Sequence, residues 1–318
     1  MRNRILRNKN ISRSFSHGTC SNDKRLLSLS SDVTTIHSSL STGLMDYARG
    51  WAWQQALLQK RLESERCIDP TNTDNVQPQN TILILEHNHV YTLGRAADLD
   101  HITLDLPDRH RLGRTCRGPQ SARLSLDRAP PSFETTMELV QHLSQSALPV
   151  YTPHTQIPIY RIDRGGEVTY HGPGQLVIYP QLDLKKTPTL RPDLHHYLRQ
   201  LEQVVMDTLR EEYDLVTTRD PAHTGVWYGD AKIAAVGVSA TRWITTHGLA
   251  LNVHPSLHHF DTSNIVPCGI VGKHVTSIQQ IVSPRTPITT QLVAQQILHR
   301  MERTFGLCVD FNGSIDIH

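Results

Sequence analysis

The sequence predicts an α/β protein, a mixed α+β sheet with flanking helices, and three observations carry that expectation. One apolar run keeps the helical i, i+3, i+4 rhythm, another reads as several strands joined by tight turns, and a last helix closes the chain. The helices and strands do not alternate as regular βαβ units, which favours a sheet flanked by helices over a doubly wound one.

The first residues carry Arg2, Arg4, Arg7, Lys9 and Arg13 before the first acid, Asp23, with frequent serine and no signal-peptide apolar segment. Two readings stay open, a mitochondrial transit peptide and a basic tail with no address, and the basic, serine-rich, acid-poor composition favours the first. Either way residues 1–40 are expected to stand outside the fold, leaving 41–318 as the folded unit.

From Asp46 the chain places Tyr47, Trp51, Leu58 and Leu62 near one helical face. A polar loop, DPTNTDNVQPQN, precedes the buried-strand candidate TILILEH and then VYTLGR. Residues 105–150 show little periodicity apart from a short helix near TTMELVQHL, and read as a surface insertion. In RPDLHHYLRQLEQVVMDTLREEY the positions Leu194, Tyr197, Leu198, Leu201, Val204, Val205 and Leu209 form one stripe behind an Asp193 cap. TGVWYGDAKIAAVGVSATRWITTHGLALNV reads as strands, and TTQLVAQQILHRMERTF as a helix ending at Gly306.

Composition excludes several classes. The 318 residues are 38% apolar with a net charge of +2, so no global field favours nucleic acid or an anionic membrane, and no apolar run is long enough to span one. Five cysteines at irregular spacing make neither a disulfide framework nor a zinc signature. Nineteen histidines include the pairs His87/His89, His195/His196 and His258/His259, but none has HExxH spacing, so neither a metal nor a cofactor is expected.

Chemistry concentrates in three segments. DRGGEVTYHGPGQLVIYPQLDL sets glycines beside His171 ahead of a strand, which suits a tight turn or a backbone-lined pocket. GDAKIAAVGV sets Lys232 at the start of an apolar strand. SNIVPCGIVGKHVTS holds Cys268 between Pro267 and Gly269, a turn that would present a thiol as a nucleophile if its pKa were lowered. Lys232 could do that lowering and manage protons, while His171 or His247 as the base stays open.

Taken in order, EHNHVYTLGR, RGGEVTYHGPGQLVIYPQLDL, GVWYGDAKIAAVGV, THGLALNV and PCGI resemble the octanoyltransferases of lipoate biosynthesis, also called lipoyl(octanoyl) transferases, over roughly 46–310. The first of these words carries Asn88-His89 where the family usually has two prolines. The resemblance implies the catalytic fold shared with biotin protein ligases and lipoate-protein ligases. It also implies transfer of an octanoyl group from octanoyl-acyl carrier protein to a lysine of a lipoyl domain. The expected acceptors are glycine cleavage H protein and the acyltransferase subunits of 2-oxoacid dehydrogenases, in the mitochondrial matrix.

By position, Cys268 falls on the family's acyl-thioester cysteine and Lys232 on the lysine that lowers its pKa. Substrate binding falls on Arg164, Gly165, Gly166, Glu167, Val168, Thr169, Tyr170 and His171. It falls also on Ala235, Val236 and Gly237, and on Gly248, Leu249 and Ala250. On this reading Gly165, Gly166, Gly172 and Gly174 let backbone line a narrow apolar channel, and Arg161 and Arg164 form a basic patch at its mouth for an acidic carrier. The competing readings are an ATP-dependent lipoate-protein ligase on the same fold, which needs no nucleophilic cysteine, and a non-catalytic lipoyl-domain-binding relative, which would lack Cys268 or Lys232.

Overall fold

Alternation along the central strands decides the layering. In a computed structural model, which describes residues 33–66, 79–106, 108–113, 123–124, 135–266, 273–282, 288–311 and 314–317, strand β2 (Thr81–Leu85) sends Ile82 and Ile84 to one face and Leu83 and Leu85 to the other. Strand β8 (Gln175–Gln181) does the same with Leu176 and Ile178 against Val177 and Tyr179. A sheet apolar on both faces must be covered on both.

The first face is covered by helices α3 (Leu194–Tyr213) and α5 (Thr290–Phe305), with Ile278 of the short α4 (Ile278–Val282) beside them. Tyr197, Leu201, Val205 and Leu209 of α3 and Val293, Ile297, Met301 and Phe305 of α5 are buried there. Asp193 caps α3 by accepting the His196 N–H, and Gly306 ends α5 at φ +63°, the left-handed value glycine adopts without cost. The second face is covered by α1 (Tyr47–Arg66), through Tyr47, Trp51, Ala52 and Ala56, and by α2 (Thr136–Gln145), through Leu139, Val140 and Leu143. The capping box Thr135/Glu138 fixes the start of α2.

Among the described residues the main sheet has nine strands. Its path runs from β12 (His274–Val275) through β10 (Ala231–Thr241), β11 (Ile244–Asn252), β8, β2 and β1 (Val33–Ser38) to β13 (Cys308–Val309). Strand β9 (Val226–Tyr228) pairs with β10, and β14 (Ile315–Asp316) with β1. Pairing is mixed: β1 lies parallel to β2 and β13, whereas β10, β11, β8 and β2 run antiparallel in turn. A smaller sheet joins β4 (Arg123–Leu124), β6 (Pro158–Ile162), β3 (Val90–Leu93) and β7 (Val168–His171), with β5 (Val150–Tyr151) paired to β6.

Two boundaries differ from expectation. Residues 33–38 lie inside the span expected to stand apart from the fold, yet they form β1, which pairs with β2 from Thr35↔Thr81 to Ser38↔Ile84. The run VTTIHS is short and two-thirds polar, so its pattern is too weak to announce a strand. The 105–150 segment is likewise not all insertion, because α2 packs in the core and β5 pairs with β6.

Candidate active site

The RGG turn before β7 is gripped by the segment that follows β3. The N–H of Gly94 donates to the Glu167 carbonyl (3.2 Å), that of Arg95 to Arg164 (2.9 Å) and that of Ala96 to Gly166 (3.2 Å). Gly166 sits at φ +89°, which a side chain would strain. The turn docks on β10: the Gly165 N–H donates to the Val238 carbonyl (3.2 Å), and a Cβ on Gly237 would lie 2.9 Å from the Gly165 oxygen and 3.1 Å from Arg164 Cγ. The guanidinium of Arg164 folds back to the carbonyls of Gly165 and Glu167 (both 2.9 Å) and to Thr92 Oγ1 (3.1 Å).

This docking leaves an inner cavity of about 330 Å³ among the turn, β7, β8, β10 and β11. Arg164, Thr169 and His171 line one side, Ala235, Val236 and Gly237 a second, and Gly248, Leu249 and Ala250 a third, closed by Tyr47, Tyr179 and His247. An adjoining outer cavity of about 760 Å³ shares Arg164, Thr169 and Ala235–Gly237. It adds Gly165, Gly166, Glu167 and Val168, then Lys232 and the loop residues Ala222, His223 and Thr224. Part of the inner volume is open to solvent and its enclosed part is small, kept narrow by Ala235, Gly237 and Gly248, which suits a slender ligand.

The histidines of the inner wall are neutral. Burial lowers His171 to about 3, helped by neighbouring His87 and by Arg164, and burial with the Arg164 and Arg95 charges lowers His247 to about 3. His87 falls to about 4 through burial; its Nδ1–H donates to the Met45 carbonyl (3.0 Å), which leaves Nε2 to accept the Tyr179 hydroxyl (3.1 Å). Bases held so far below neutrality accept protons poorly, which disfavours either cavity histidine as the general base.

Lys232 is buried at 7% exposure, and its Nζ donates to the Thr224 carbonyl (3.0 Å) and stands 4.8 Å from the centre of the Trp227 ring. Its backbone partner is informative: Lys232 pairs with Val275 in β12, and its carbonyl accepts the Thr276 N–H (3.0 Å). A hydrogen-bond line runs from His171 Nδ1 to Gln175 (2.7 Å), from Gln175 to Asn252 (2.9 Å) and from Asn252 to the Thr276 carbonyl (3.0 Å). The strand that follows the PCGI word is thereby tied to both the lysine and the inner cavity. Cys268 itself lies outside the described residues.

Three expectations are corrected. Tyr170 lines neither cavity, because alternation in β7 turns Thr169 and His171 toward the cavity and Tyr170 away; its ring stacks on His259 (4.6 Å) and its hydroxyl donates to His89 Nδ1. Gly172 and Gly174 also line neither cavity. They make the β7–β8 turn, Gly174 at φ +83° pressed against His254 and Gly172 under the Tyr170 ring. Arg161 is no docking residue: it is buried at 5% exposure, with its guanidinium spent on the carbonyls of Leu112, Gly94 and Ala97. Arg164 is also turned inward.

Asn88, standing where the related motif has proline, uses an N–H that proline lacks to donate to the Met45 carbonyl (3.1 Å). Among the described residues, no group of three or more His, Cys, Asp or Glu is placed to hold a metal ion. No helix among them is long and apolar enough to cross a membrane.

Sequence reasoning missed Tyr47, Tyr179 and Glu202. Tyr47 and Tyr179 looked like ordinary core aromatics on a helix face and a strand. Glu202 did leave a signal, a carboxylate set among Leu198, Leu201 and Val205 on the apolar stripe of α3, where an unpaired charge would not be tolerated.

Comparison with known proteins follows the same lines. Residues 141–302 match the family described as the lipoyl protein ligase A/B catalytic domain. The chain is 34% identical over 275 residues to the octanoyltransferase of Cytophaga hutchinsonii, covering 84% of this chain and 92% of that one. It is 37% identical over 265 residues to the octanoyltransferase of a Nostoc species, covering 83% and 90%. A solved lipoate-protein ligase A bound with ATP superposes with a TM-score of 0.52 at 12% identity, covering 90% and 89%, and shares the fold.

Proposed function

The chain belongs to the octanoyltransferase family, and we propose that it takes an octanoyl group from octanoyl-acyl carrier protein, holds it as a thioester on Cys268 and delivers it to a lysine of a lipoyl domain. The observation that carries this reading is the convergence of three separate sequence segments on two adjoining cavities, with Lys232 on the wall of the outer one. An acyl chain needs a slender, mostly apolar slot; the neutral histidines, protonated tyrosines and small residues Ala235, Gly237 and Gly248 line one, and the Arg164 guanidinium beside it is engaged by the Gly165 and Glu167 carbonyls.

In the first step the Cys268 thiolate attacks the donor's thioester carbonyl. A C–S bond forms to Cys268, the C–S bond to the carrier breaks, and the carrier leaves as a thiol after taking a proton. One thioester replaces another, so the exchange is nearly balanced. In the second step a neutral lysine amine of the acceptor attacks the Cys268 thioester. A C–N bond forms, the C–S bond breaks, and the proton shed by the amine is passed through Lys232 to the departing sulfur. The amide product is more stable than the thioester, which drives the sequence without ATP. Lys232, buried and hydrogen-bonded to a carbonyl, supports this role by holding a proton-bearing nitrogen at a fixed place.

Acceptors would be glycine cleavage H protein and the acyltransferase subunits of 2-oxoacid dehydrogenases. The basic, acid-poor composition of residues 1–31 supports delivery to the mitochondrial matrix, where such acceptors are found. The test is transfer from octanoyl-carrier protein to a purified lipoyl domain with ATP omitted. Product under those conditions supports the reading, and a strict need for ATP and free octanoic acid replaces it with a ligase.

A further inference from the structure

Glu202 of α3 is fully buried, and two of its three hydrogen-bond partners belong to one loop. Its Oε2 accepts from Arg199 Nη1 (2.9 Å) and Arg219 Nε (3.0 Å), and its Oε1 accepts the Gly225 N–H (2.9 Å). Arg219 and Gly225 stand near the two ends of the loop between Thr218 and Trp227, which two backbone hydrogen bonds close (2.8 and 2.9 Å). The same loop supplies both contacts that hold the Lys232 ammonium, the Thr224 carbonyl at 3.0 Å and the Trp227 ring at 4.8 Å. Gly225 sits between the two systems at φ +131°, where a Cβ would lie 2.7 Å from the Ala234 carbonyl and 3.2 Å from Lys232 Cε.

We infer that Glu202 is a positioning residue for Lys232, acting through the Arg219–Gly225 loop to fix where the ammonium sits on the outer cavity wall. The inference rests on the reading of Lys232 as the proton-managing group of the transfer. A carboxylate is required at this position because it offers two acceptor oxygens, one for the guanidinium groups and one for the Gly225 N–H. A glutamine of the same shape has one acceptor oxygen and sets its NH₂ against a donor on the other side. The loop then loses one tie, and the Thr224 carbonyl no longer holds the lysine in place.

The experiment compares full-length wild type, Glu202→Gln, Arg219→Gln and Lys232→Met in octanoyl transfer from octanoyl-carrier protein to a lipoyl domain. Beside it, Lys232 acetylation by dilute acetic anhydride is followed by peptide mass spectrometry, with Lys185 as the exposed reference. The expected result for Glu202→Gln is a kcat loss of about tenfold or more, within the roughly 100-fold that a 1 Å misplacement costs, with KM for the carrier little changed. Lys232 acetylation should speed up relative to Lys185. Arg219→Gln, at the half-exposed rim and leaving the carboxylate two donors, should fold and show the same two changes at smaller size, which keeps the test alive if Glu202→Gln does not fold.

Wild-type kcat and acetylation rates in the folded variants, with Lys232→Met inactive, overturn the role of Glu202 and leave that of Lys232 standing. Undiminished transfer by Lys232→Met overturns both.

Discussion

The backbone N–H of His247 donates to Gln54 Oε1 at 2.7 Å, from a residue held at φ +60° within β11. Strict alternation would send His247 to the α3/α5 face with Leu249 and Leu251. The left-handed backbone turns it to the opposite face, where it meets Tyr179 edge-on at 5.9 Å and closes the inner cavity. Such a conformation costs a non-glycine residue about 1–3 kcal/mol and persists only when neighbours enforce it. Gln54 is that enforcement.

Gln54→Leu should therefore do more than lose a hydrogen bond. Leaving the buried His247 N–H without an acceptor costs about 1–3 kcal/mol, read as a lower urea midpoint. The freed backbone lets His247 swing from the cavity, so KM for the octanoyl donor should rise. A stability loss with unchanged KM would show that the His247 side chain does not shape the acyl site.

Acid should weaken the fold through buried histidines. His87, His171 and His247 have folded pKa values of about 4, 3 and 3, against about 6.5 for an unperturbed histidine. Between those limits the unfolded chain binds more protons than the folded one, so stability falls as pH drops from about 6.5 toward 4. Each group contributes a slope approaching about 1.4 kcal/mol per pH unit. Urea unfolding of His247→Gln across this range should show a shallower fall than wild type, and an equal slope would contradict the buried, neutral assignment.

Gly237 is the contact between the RGG turn and β10. A valine there would force apart the Gly165 carbonyl and the Arg164 stem, 2.9 and 3.1 Å from its Cβ, and narrow the shared wall of the two cavities. Gly237→Val should raise KM for octanoyl-carrier protein by about tenfold or more, with less effect on a butanoyl carrier. An equal effect on both donors would mean that the chain does not pass this wall.

Arg161 supplies a contrast. Its charge is buried and spent on three backbone carbonyls, so Arg161→Met should cost about 1.5–3 kcal/mol for each charged hydrogen bond lost, detected as a lower melting temperature. Carrier binding by the folded fraction should keep its wild-type salt dependence.

The sequence was read best where one pattern dominates. The stripe of α3, the Asp193 cap and the Gly306 stop are local signals, and they appear in the structure as expected. The smaller sheet was not legible. PIYRI and VTYH are short, and their pairing with β3 depends on partners some seventy residues away in the chain. At the site, the glycines of one run divide between two jobs, Gly165 and Gly166 on the cavity wall and Gly172 and Gly174 in a turn, because period-2 alternation and left-handed φ values act on each separately. Nor could an arginine near a glycine turn announce that its guanidinium folds inward. That depends on which carbonyls the tertiary fold leaves in need of a donor.

Octanoyl transfer by this route requires that Cys268 carry the acyl group. The measurement is intact mass spectrometry of the protein after mixing with octanoyl-carrier protein, wild type beside Cys268→Ala. A hydroxylamine-labile gain of one octanoyl group on wild type, absent from the variant, is the predicted result. No adduct on wild type, with octanoyl transfer equally fast in the variant, would contradict it.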